Sequence, residues 1–489
     1  MKKKPNIVFI MADDLGSWAL GCAGNDEIKT PNIDRLAENG MRFDNFFCVS
    51  PVCSPARASL LTGTIPSAHG IHDWLVSGNI DASRAGKEWI DIAAYEGVYE
   101  YVAYDKPISY LDGMLTYTDV MSQNGYNCAF SGKWHLGDSA TPQHGFKHWS
   151  SVAGGWCNYY HPDYCVDGKI DIKHGHYVTD LITSNALSFL DEISILSDPF
   201  YLSVHYTAPH SPWEADQHPP EYINMYENCV FESIPDIPDH PDFKYGPIYN
   251  TPNRKKNLTG YFAATTAMDK NIGRLLDYLE KNNLMENTII IFTSDNGMNM
   301  GHHGIWGKGS CTCPLNMYDY SVKVPFIVCY PAMIRKGTVT DSLVSAYDLF
   351  PTFMELLDIE LPECHRMPEY HKMPECHRMP GKSFVPVLRG EADNNNQVVV
   401  YDEYGPVRMI RTKDKKYIHR YPGGPNEFYD LVNDPDEEKN LVNDPTFKTE
   451  IMDLQKELEK WFANYIEPNK DGKNFPVTGE GQVGLNKFI

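Results

Sequence analysis

Positive charge is scarce in this sequence. Its 489 residues include 43 Lys and Arg against 65 Asp and Glu, which gives a formal net charge of −22. Proteins that bind nucleic acid need clustered Lys and Arg to neutralise phosphates. The charge balance therefore excludes nucleic acid as a general partner, and it also disfavours a long polyanion lying across the surface.

Long apolar runs are missing as well. A helix that spans a bilayer needs about 20 consecutive apolar residues, and runs such as 288–292 are far shorter. Residues 2–4 are three lysines, as in the start of a secretory signal, but the apolar stretch 7–12 that follows ends at two aspartates. We expect no membrane association. The sequence as written predicts a cytoplasmic protein, or a periplasmic or secreted one if a leader has been removed.

Cysteine is present but not in the patterns that indicate a structural role. The twelve cysteines are few for this length, and no two are spaced as in a C-x-x-C pair. A disulfide scaffold and a zinc knuckle are therefore both disfavoured. We expect reduced, buried thiols, with Cys53 set apart by its neighbours.

Two continuous apolar runs indicate the fold class. Residues 6–11 and 288–293 are rich in Ile, Val and Phe, which is typical of strands buried on both faces. Helical patterns, such as the long amphipathic stretch 260–282, separate the predicted strands. This alternation predicts an α/β fold in which helices sandwich a large, mostly parallel sheet.

The chain is longer than the length at which a single hydrophobic core stops growing. We predict a catalytic domain over residues 1–380 and a C-terminal subdomain over residues 381–489. In the second part, short alternating strands precede a helical pattern at 446–465. They predict a small antiparallel sheet closed by a terminal helix.

A tandem hexapeptide repeat occupies residues 362–379, with the units PECHRM, PEYHKM and PECHRM. Proline at every sixth position excludes a continuous helix. One interpretation is metal binding by the repeat's histidines and cysteines, which are His365, His371, His377, Cys364 and Cys376. We favour the other, a duplication within a surface loop, because lengthening a loop costs little free energy.

Acidic and amide side chains follow both buried strands. Asp13 and Asp14 come after the first strand, and Asp295 and Asn296 come after the second. Ligands gather at the carboxyl ends of strands in open α/β sheets. Clustered carboxylates repel one another unless they bind a cation, and an all-oxygen set favours Ca²⁺ or Mg²⁺. The alternative is that these are turn residues.

Three further segments carry basic side chains just after predicted strands. Lys133 and His135 lie in one, His210 lies between two prolines in another, and His302, His303 and Lys308 lie in a glycine-rich third. A single exposed Lys or His is usually solvated. Three such segments in so acidic a chain predict a cationic pocket for a small anion.

The stretch Cys53-Ser54-Pro55-Ala56-Arg57, with Leu-Leu-Thr-Gly at 60–63, resembles the C-x-P-x-R signature of type I sulfatases. These are formylglycine-dependent enzymes of the alkaline-phosphatase-like superfamily. The resemblance extends over most of the chain through an ordered set of motifs, at 6–14, 30–34, 69–71, 132–137, 209–210, 293–297 and 428–441.

This resemblance implies a chemistry for Cys53. A formylglycine-generating maturation enzyme would oxidise it to formylglycine (3-oxoalanine), an aldehyde whose hydrate attacks the sulfur of a sulfate ester. The sulfated hemiacetal then expels sulfate and restores the aldehyde. A serine hydroxyl could attack sulfur in the same way, but it has no second hydroxyl with which to expel the sulfate. This is covalent catalysis that splits one hard step into two.

The resemblance also implies roles for the other residues. The metal ligands would be Asp13, Asp14, Cys53, Asp295 and Asn296, holding Ca²⁺ with Mg²⁺ as the alternative. Arg57 would brace the formylglycine, Lys133 and Lys308 would neutralise the sulfate, His135 would take the proton of the hydrate, and His210 would protonate the leaving alcohol. Expected substrate-binding residues are His303, His72 and Trp74.

The implied activity is hydrolysis of a sulfuric ester on a small sulfated glycan or an aryl sulfate. Aromatic residues in one region favour a carbohydrate, because they can stack on sugar rings, although core packing is the alternative; they are Trp149, Trp156, Tyr159, Tyr160 and Tyr164. Two other functions remain open. One is a formylglycine-dependent phosphonate or phosphodiester hydrolase, and the other is a sulfated-glycan binder whose Cys53 is never converted.

Overall fold

The computed structural model describes residues 4–95, 103–104, 107–243, 253–361, 379–391, 395, 397–400, 407–475 and 481–482. Apart from Met379, the hexapeptide repeat at 362–379 lies outside the described residues, so both of its interpretations stay predictions. Among the described residues, every helix is too short or too polar to cross a bilayer.

The strands have the following bounds: β1 Asn6–Ala12, β2 Met41–Phe47, β3 Ile80–Asp81, β4 Ala103–Tyr104, β5 Asn127–Lys133, β6 Phe146–Val152, β7 Asp163–Val166, β8 Lys169–Ile172, β9 Phe200–His205, β10 Thr288–Ser294, β11 Asn299–Met300, β12 Trp306–Gly307, β13 Lys323–Cys329, β14 Thr338–Thr340, β15 Val344–Ser345, β16 Gln397–Val400, β17 Val407–Thr412, β18 Lys415–Arg420 and β19 Glu427–Asp430. The helices are α1 Pro31–Asn39, α2 Cys53–Thr62, α3 Pro66–His69, α4 Lys87–Tyr95, α5 Tyr117–Gln123, α6 Val178–Ile193, α7 Pro220–Met225, α8 Arg254–Lys281, α9 Asp319–Val322, α10 Leu349–Leu356, α11 Val385–Leu388 and α12 Lys448–Tyr465.

One large sheet organises the fold. Its order is β14-β2-β13-β10-β1-β9-β5-β6-β7-β8, with β15 beside β2. The central strands β10, β1, β9, β5 and β6 run parallel, whereas β13, β7 and β8 are antiparallel to their neighbours. This sheet, covered by helices, confirms the predicted α/β class.

The alternation of side chains along β1 separates two hydrophobic cores. Ile7, Phe9 and Met11 pack in one core with side chains from α2, α5 and α10. Val8 and Ile10 pack in the other core, together with α1, α6 and α8. Because successive side chains of a strand point to opposite faces, a strand with both faces covered must be apolar throughout.

The pairing of the two central strands positions the acidic residues. β1 and β10 are parallel neighbours, and Ala12 lies opposite Ser294 in their register. The next residues on each strand, Asp13 and Asp295, therefore emerge side by side at the carboxyl edge of the sheet.

The sequence of residues 111–125 predicts a helix over that whole stretch, whereas the helix in the structure begins at Tyr117. Thr116 and Asp119 form a capping box, in which the Thr116 hydroxyl accepts a hydrogen bond from the Asp119 N–H at 3.1 Å. The Asp119 carboxylate accepts one in return from the Thr116 N–H at 3.0 Å. This reciprocal cap fixes the helix start, and the apolar residues before it pack without helical structure.

The C-terminal part contains the predicted antiparallel sheet and terminal helix. Strands β16 to β19 pair in sequence order, and α12 packs against β17 and β18. Val398, Phe428 and Phe462 from this part belong to the same core as Phe9 of the large sheet. The two parts therefore share a core, and the boundary at residue 380 stays a prediction.

A group of buried charges, here called the junction cluster, joins the two parts. It consists of Asp319, Arg411, Lys416 and Glu437. Lys416 Nζ lies 2.9 Å from Asp319 Oδ1 and also pairs with Glu437. Arg411 Nη2 lies 3.1 Å from Asp319 Oδ2, and the Asp319 N–H donates to Glu437 Oε2 at 2.6 Å.

Candidate active site

Side chains from four strand ends and one helix start meet at the carboxyl edge of the large sheet. Asp13 and Asp14 follow β1, Lys133 ends β5, His210 lies beyond β9, Asp295 and Asn296 follow β10, and Cys53 begins α2. The sequence places these residues far apart, and the parallel strand order brings them together.

The acidic residues form one connected group. The Asp14 N–H donates to Asp295 Oδ1 at 3.2 Å, and Asn296 Nδ2 donates to Asp14 Oδ1 at 2.8 Å. Three buried residues, Asp13, Asp14 and Cys53, each offer one ligand atom, and these three atoms lie within 4.8 Å of one another. Asp14 has a φ of 62°, a left-handed conformation that costs a non-glycine residue free energy and that is typical of functional sites.

The donor set fits a hard divalent cation. The side-chain oxygen of Asn296 is buried and has no hydrogen-bond partner among the described residues. It lies in the same group as three buried carboxylates. Carboxylate and amide oxygens are the ligands that Ca²⁺ and Mg²⁺ prefer, and a bound cation would relieve the repulsion among the carboxylates.

Arg57 fixes the position of Asp295. Its Nε and Nη2 lie 3.0 and 2.7 Å from Asp295 Oδ2, and its Nη1 donates to the Lys133 carbonyl at 2.8 Å. Burial alone would raise the pKa of Asp295, but Arg57 and Lys133 hold it well below its usual range. Asp295 is therefore ionised at neutral pH and available as a ligand.

Two lysines bring positive charge to Cys53. Lys133 Nζ donates to Asp13 Oδ2 at 2.6 Å. Lys308 Nζ contacts Asp14 Oδ1 at 2.5 Å and Cys53 Sγ at 3.1 Å. Burial opposes the charged form of both lysines, yet the nearby carboxylates raise the pKa of each above its ordinary value. Both ammonium groups stay charged beside residue 53.

Cys53 is the first residue of α2, a helix whose ten residues are all buried. Its Sγ lies 3.6 Å from Asp13 Oδ1. Burial raises the pKa of the thiol to about 12, although Lys133 and Lys308 act in the opposite direction. An unmodified Cys53 is thus a neutral thiol at pH 7 and a weak nucleophile.

His135 has one ring nitrogen bonded to the backbone and one without a partner among the described residues. Its Nε2 lies 3.0 Å from the Leu75 carbonyl, which can only accept a hydrogen bond, so Nε2 carries the proton and Nδ1 the lone pair. Nδ1 is buried without a partner among the described residues. Burial and the charge of Lys133 hold the pKa of the ring well below its usual range, so the imidazole is neutral.

Glycine at position 155 lets a loop cross close to His135. A Cβ at this position would lie 2.3 Å from His135 Nε2, so a larger residue would displace the ring. His135 itself has a φ of 56°, a left-handed conformation. The loop and the backbone together fix the direction of the imidazole.

His210 lies at the partly exposed mouth of the site. Its Nε2 is 3.7 Å from Asp14 Oδ2, and its Nδ1 is 2.7 Å from the Ser211 carbonyl. Since that carbonyl accepts the Nδ1 proton, Nε2 is the nitrogen that faces the acidic group. The Tyr159 hydroxyl donates to the His210 carbonyl at 2.8 Å and anchors this segment.

The three predicted substrate-binding residues have other neighbours. The ring of His303 stacks on Tyr318 at 3.9 Å, and burial lowers its pKa to about 4. His72 packs near Phe475 at 5.3 Å, and burial lowers its pKa to about 4 as well. Trp74 is partly buried against the core. Their roles toward substrate stay predictions.

The structure adds a residue that the sequence did not reveal. His205 ends β9, and its Nδ1 lies 3.4 Å from Arg57 Nη1 while its Nε2 lies 2.7 Å from the Ser203 hydroxyl. Its ring packs edge-on against Phe9 and Phe130. A histidine at the end of a buried strand was the only signal in the sequence.

The aromatic residues considered for sugar stacking divide into two groups. Trp149, Tyr159 and Tyr164 are buried, so core packing accounts for them. Trp156 is 64% exposed and directly follows Gly155, the glycine that contacts His135. Tyr160 is partly exposed. Trp156 is therefore the aromatic side chain of this set most available to a ligand.

Comparisons with known proteins agree with this geometry. The sulfatase family profile matches residues 5–359, and the profile for the C-terminal region of N-sulphoglucosamine sulphohydrolase matches residues 301–464. An N-acetylglucosamine-6-O-sulfatase of Bacteroides thetaiotaomicron is 29% identical over 96% of this chain and 88% of its own. An ulvan-active sulfatase of Formosa agariphila is 29% identical over 94% of this chain and 81% of its own.

A solved structure resembles the whole fold. It shows a protein in complex with its substrate D-glucosamine-2-N,6-O-disulfate, and it superposes with a TM-score of 0.74 at 27% identity. The match covers 95% of this chain and 98% of the other.

Proposed function

Because this chain belongs to the sulfatase family and is a sulfuric ester hydrolase, we propose that it desulfates a small carbohydrate through a formylglycine made from Cys53. One observation carries the proposal. Cys53 Sγ lies 3.1 Å from Lys308 Nζ and 3.6 Å from Asp13 Oδ1, at the point where acidic ligands and basic side chains meet. Residue 53 is thus the group that a bound sulfate and a cation would both contact.

The cation would be Ca²⁺, held by Asp13, Asp14, Asp295 and Asn296 together with the converted residue 53. When bound, it supplies positive charge that polarises the sulfate and favours an ionised hydroxyl at residue 53. The unpartnered oxygen of Asn296 supports this assignment. Arg57 keeps Asp295 in place through its two hydrogen bonds.

The remaining side chains act in the two chemical steps, which are the attack on sulfur and the expulsion of sulfate. The hydrated aldehyde of residue 53 offers one hydroxyl to attack sulfur and a second whose deprotonation expels sulfate. Lys133 and Lys308 balance the charge of the sulfate group. His210 Nε2, at the mouth, protonates the leaving alcohol, and the lone pair of His135 Nδ1 accepts the hydroxyl proton.

A sulfated amino sugar is the substrate that the comparisons support. One relative is an N-acetylglucosamine-6-O-sulfatase, and a similar solved structure holds D-glucosamine-2-N,6-O-disulfate. The exposed ring of Trp156 offers a face on which a sugar can stack, and Trp156 directly follows Gly155, which lies against His135. The net charge of −22 favours short glycans over long polyanions.

The test compares substrates after co-expression with a formylglycine-generating enzyme. N-acetylglucosamine 6-sulfate, 4-nitrophenyl sulfate, a phosphonate monoester and a phosphodiester would be offered in parallel, and the peptide containing residue 53 would be analysed by mass spectrometry. We expect the mass shift of conversion to formylglycine and the highest kcat/KM on the sulfated sugar.

The alternatives give different results. Faster turnover of the phosphonate or phosphodiester would assign the chain to that chemistry. An active preparation whose residue 53 is wholly cysteine would refute the formylglycine proposal. Glycan binding without turnover, with an unconverted cysteine, would indicate a binding protein.

A further inference from the structure

A short stretch near the C-terminus lies against a loop that supports the active site. Gln482 forms a parallel bridge with Leu75, and its backbone N–H donates to the Trp74 carbonyl at 2.8 Å. Gly481, which precedes it, has a φ of 76°, and a Cβ there would lie 2.2 Å from Val76 Cγ2. Glycine therefore permits this close approach.

The side-chain amide of Gln482 binds three backbone groups of the loop at residues 70–75. Its Oε1 accepts hydrogen bonds from the N–H groups of His72 at 2.7 Å and Asp73 at 3.3 Å. Its Nε2 donates to the Gly70 carbonyl at 2.7 Å. One amide thus satisfies three polar groups that the loop would otherwise leave to solvent.

The end of this loop contacts the catalytic groups. The Leu75 carbonyl accepts the hydrogen bond from His135 Nε2 at 3.0 Å, which sets the ring tautomer. The Leu75 N–H donates to the Ser54 hydroxyl at 3.1 Å, and Ser54 directly follows Cys53. Leu75 therefore links His135 to the start of α2 through its own backbone.

We propose that Gln482 is a positioning residue for His135. By fixing the loop at residues 70–75, it holds the Leu75 carbonyl where that oxygen binds the Nε2 proton and so keeps the lone pair on Nδ1. This inference rests on the proposed role of His135 as the proton acceptor. Without the amide, the loop relaxes, the carbonyl shifts, and the imidazole loses its fixed orientation.

The test uses the full, matured chain and two variants at one position. Gln482→Ala removes the side chain, and Gln482→Met keeps its volume but forms none of its three hydrogen bonds. Gln455→Ala is the matched control, because Gln455 is a partly exposed glutamine on α12 whose side chain contacts only Glu459 among the described hydrogen bonds.

Two measurements do not depend on activity. Hydrogen exchange reports on the peptide covering residues 70–76, where the amides of His72 and Asp73 should exchange at least about tenfold faster in both Gln482 variants. Imidazole ¹⁵N NMR, with the His135 signal assigned by its loss in His135→Gln, should show the Nε2–H tautomer in the parent and a mixture in the variants.

The kinetic measurement distinguishes positioning from binding. We expect kcat to fall about 10- to 100-fold in both Gln482 variants, with KM changed less than about twofold, because a small misplacement of a catalytic group is costly. Gln455→Ala should match the parent in all three measurements.

Unchanged exchange at residues 70–76, an unchanged His135 signal, or a kcat within about twofold of the parent would each overturn the inference. If the parent turns over no sulfate ester, the proposed function fails instead. Exchange and NMR then still decide whether Gln482 orients His135.

Discussion

Two buried ionic clusters lie at different places in this molecule, and only one has the features of an active site. The junction cluster sets Asp319 and Glu437 around the ammonium group of Lys416, so the chain supplies its own central cation. At the strand ends, Lys133 and Lys308 also pair with Asp13 and Asp14, but ligand atoms of these two carboxylates converge with Cys53 as well. Burial of charge does not identify a site, whereas convergence of ligand atoms does.

The pKa values support the same distinction. Burial raises the pKa of Glu437 to about 7, although Lys416 opposes the shift, and yet the cluster only joins the two parts of the chain and has no nucleophile. A strongly shifted carboxyl is therefore found at a structural junction as well as at catalytic sites. The convergence of ligand atoms from Asp13, Asp14 and Cys53 is the feature that sets the strand-end cluster apart.

The largest effect should come from residue 53. In the proposed mechanism, Cys53→Ala removes the group that would form the covalent bond to sulfate, so we expect kcat/KM for the sulfated sugar to fall at least about 10⁴-fold. The matched control is Cys165→Ala, which alters a buried cysteine in a small core cluster with Ile80 and Ile170. Normal activity in Cys53→Ala would remove the basis of the proposed mechanism.

Removing the cation should have the next largest effect. A chelator should reduce activity about 10³-fold. It should also lower Tm, because a ligand whose free concentration is 100 times its Kd stabilises the folded state by about 2.7 kcal/mol. Added Ca²⁺ should restore both. Activity and calorimetric Tm would be followed during titration with the chelator.

Two matched variants test where that cation binds. Asp295→Asn should abolish the effect of the chelator on Tm, whereas Asp319→Asn should keep it, because the converging ligand atoms lie on Asp13, Asp14 and Cys53. An equal response in both variants would contradict the distinction between the clusters.

The junction cluster should affect stability more than chemistry. Lys416→Met leaves Glu437 buried without its cation, so we expect a loss of about 3–5 kcal/mol in the free energy of unfolding. The exposed Lys413, which pairs with Asp341, provides the control, and Lys413→Met should change stability by less than about 0.5 kcal/mol. Urea denaturation measures both.

A double variant checks the mechanism of that loss. Adding Glu437→Gln to Lys416→Met replaces the carboxyl that lost its partner with a neutral amide, while Arg411 still pairs with Asp319. The double variant should regain part of the lost stability, and its kcat per folded molecule should match the parent. Strictly additive losses would show that the pairing of Lys416 with Glu437 is unimportant.

The sequence predicted the parts of the site that depend on strand ends. Continuous apolar runs located β1 and β10, and their parallel pairing brings Asp13 beside Asp295 as expected. The C-terminal sheet and helix followed from short alternating patterns. These features depend on local periodicity, which a single sequence records directly.

Contacts made by backbone groups could not be predicted. Nothing in the sequence marks the Leu75 carbonyl as the partner of His135, or Gln482 as the support of that loop, because a backbone group has no residue type. The start of α5 at Tyr117 depended on a capping box whose members also occur in loops. Such contacts arise only once distant segments are packed.

Asp269 is a third buried carboxylate to compare with the two clusters. Among the described contacts it pairs with no lysine, and no other ligand atoms converge on it. Asp269 on α8 caps the start of α1 by accepting hydrogen bonds from the N–H groups of Asn32 and Ile33, at 2.9 and 2.8 Å, and from the Asn32 side chain. Burial raises its pKa from 3.8 to about 6, which these hydrogen bonds only partly offset.

This shift fixes the sign of a pH effect. Between about pH 4 and pH 6 the folded state holds the Asp269 proton more tightly than the unfolded state, so its contribution to stability falls as pH rises through that window. The free energy of unfolding of Asp269→Asn relative to the parent should therefore rise by about 2–3 kcal/mol from pH 4 to pH 7. Denaturation at both pH values measures it, with the exposed Asp277→Asn as the control. If the difference in free energy of unfolding between the variant and the parent did not change with pH, Asp269 would stay ionised in the folded state. It would then keep its charge without a neighbouring cation, whereas the carboxylates of both clusters have one.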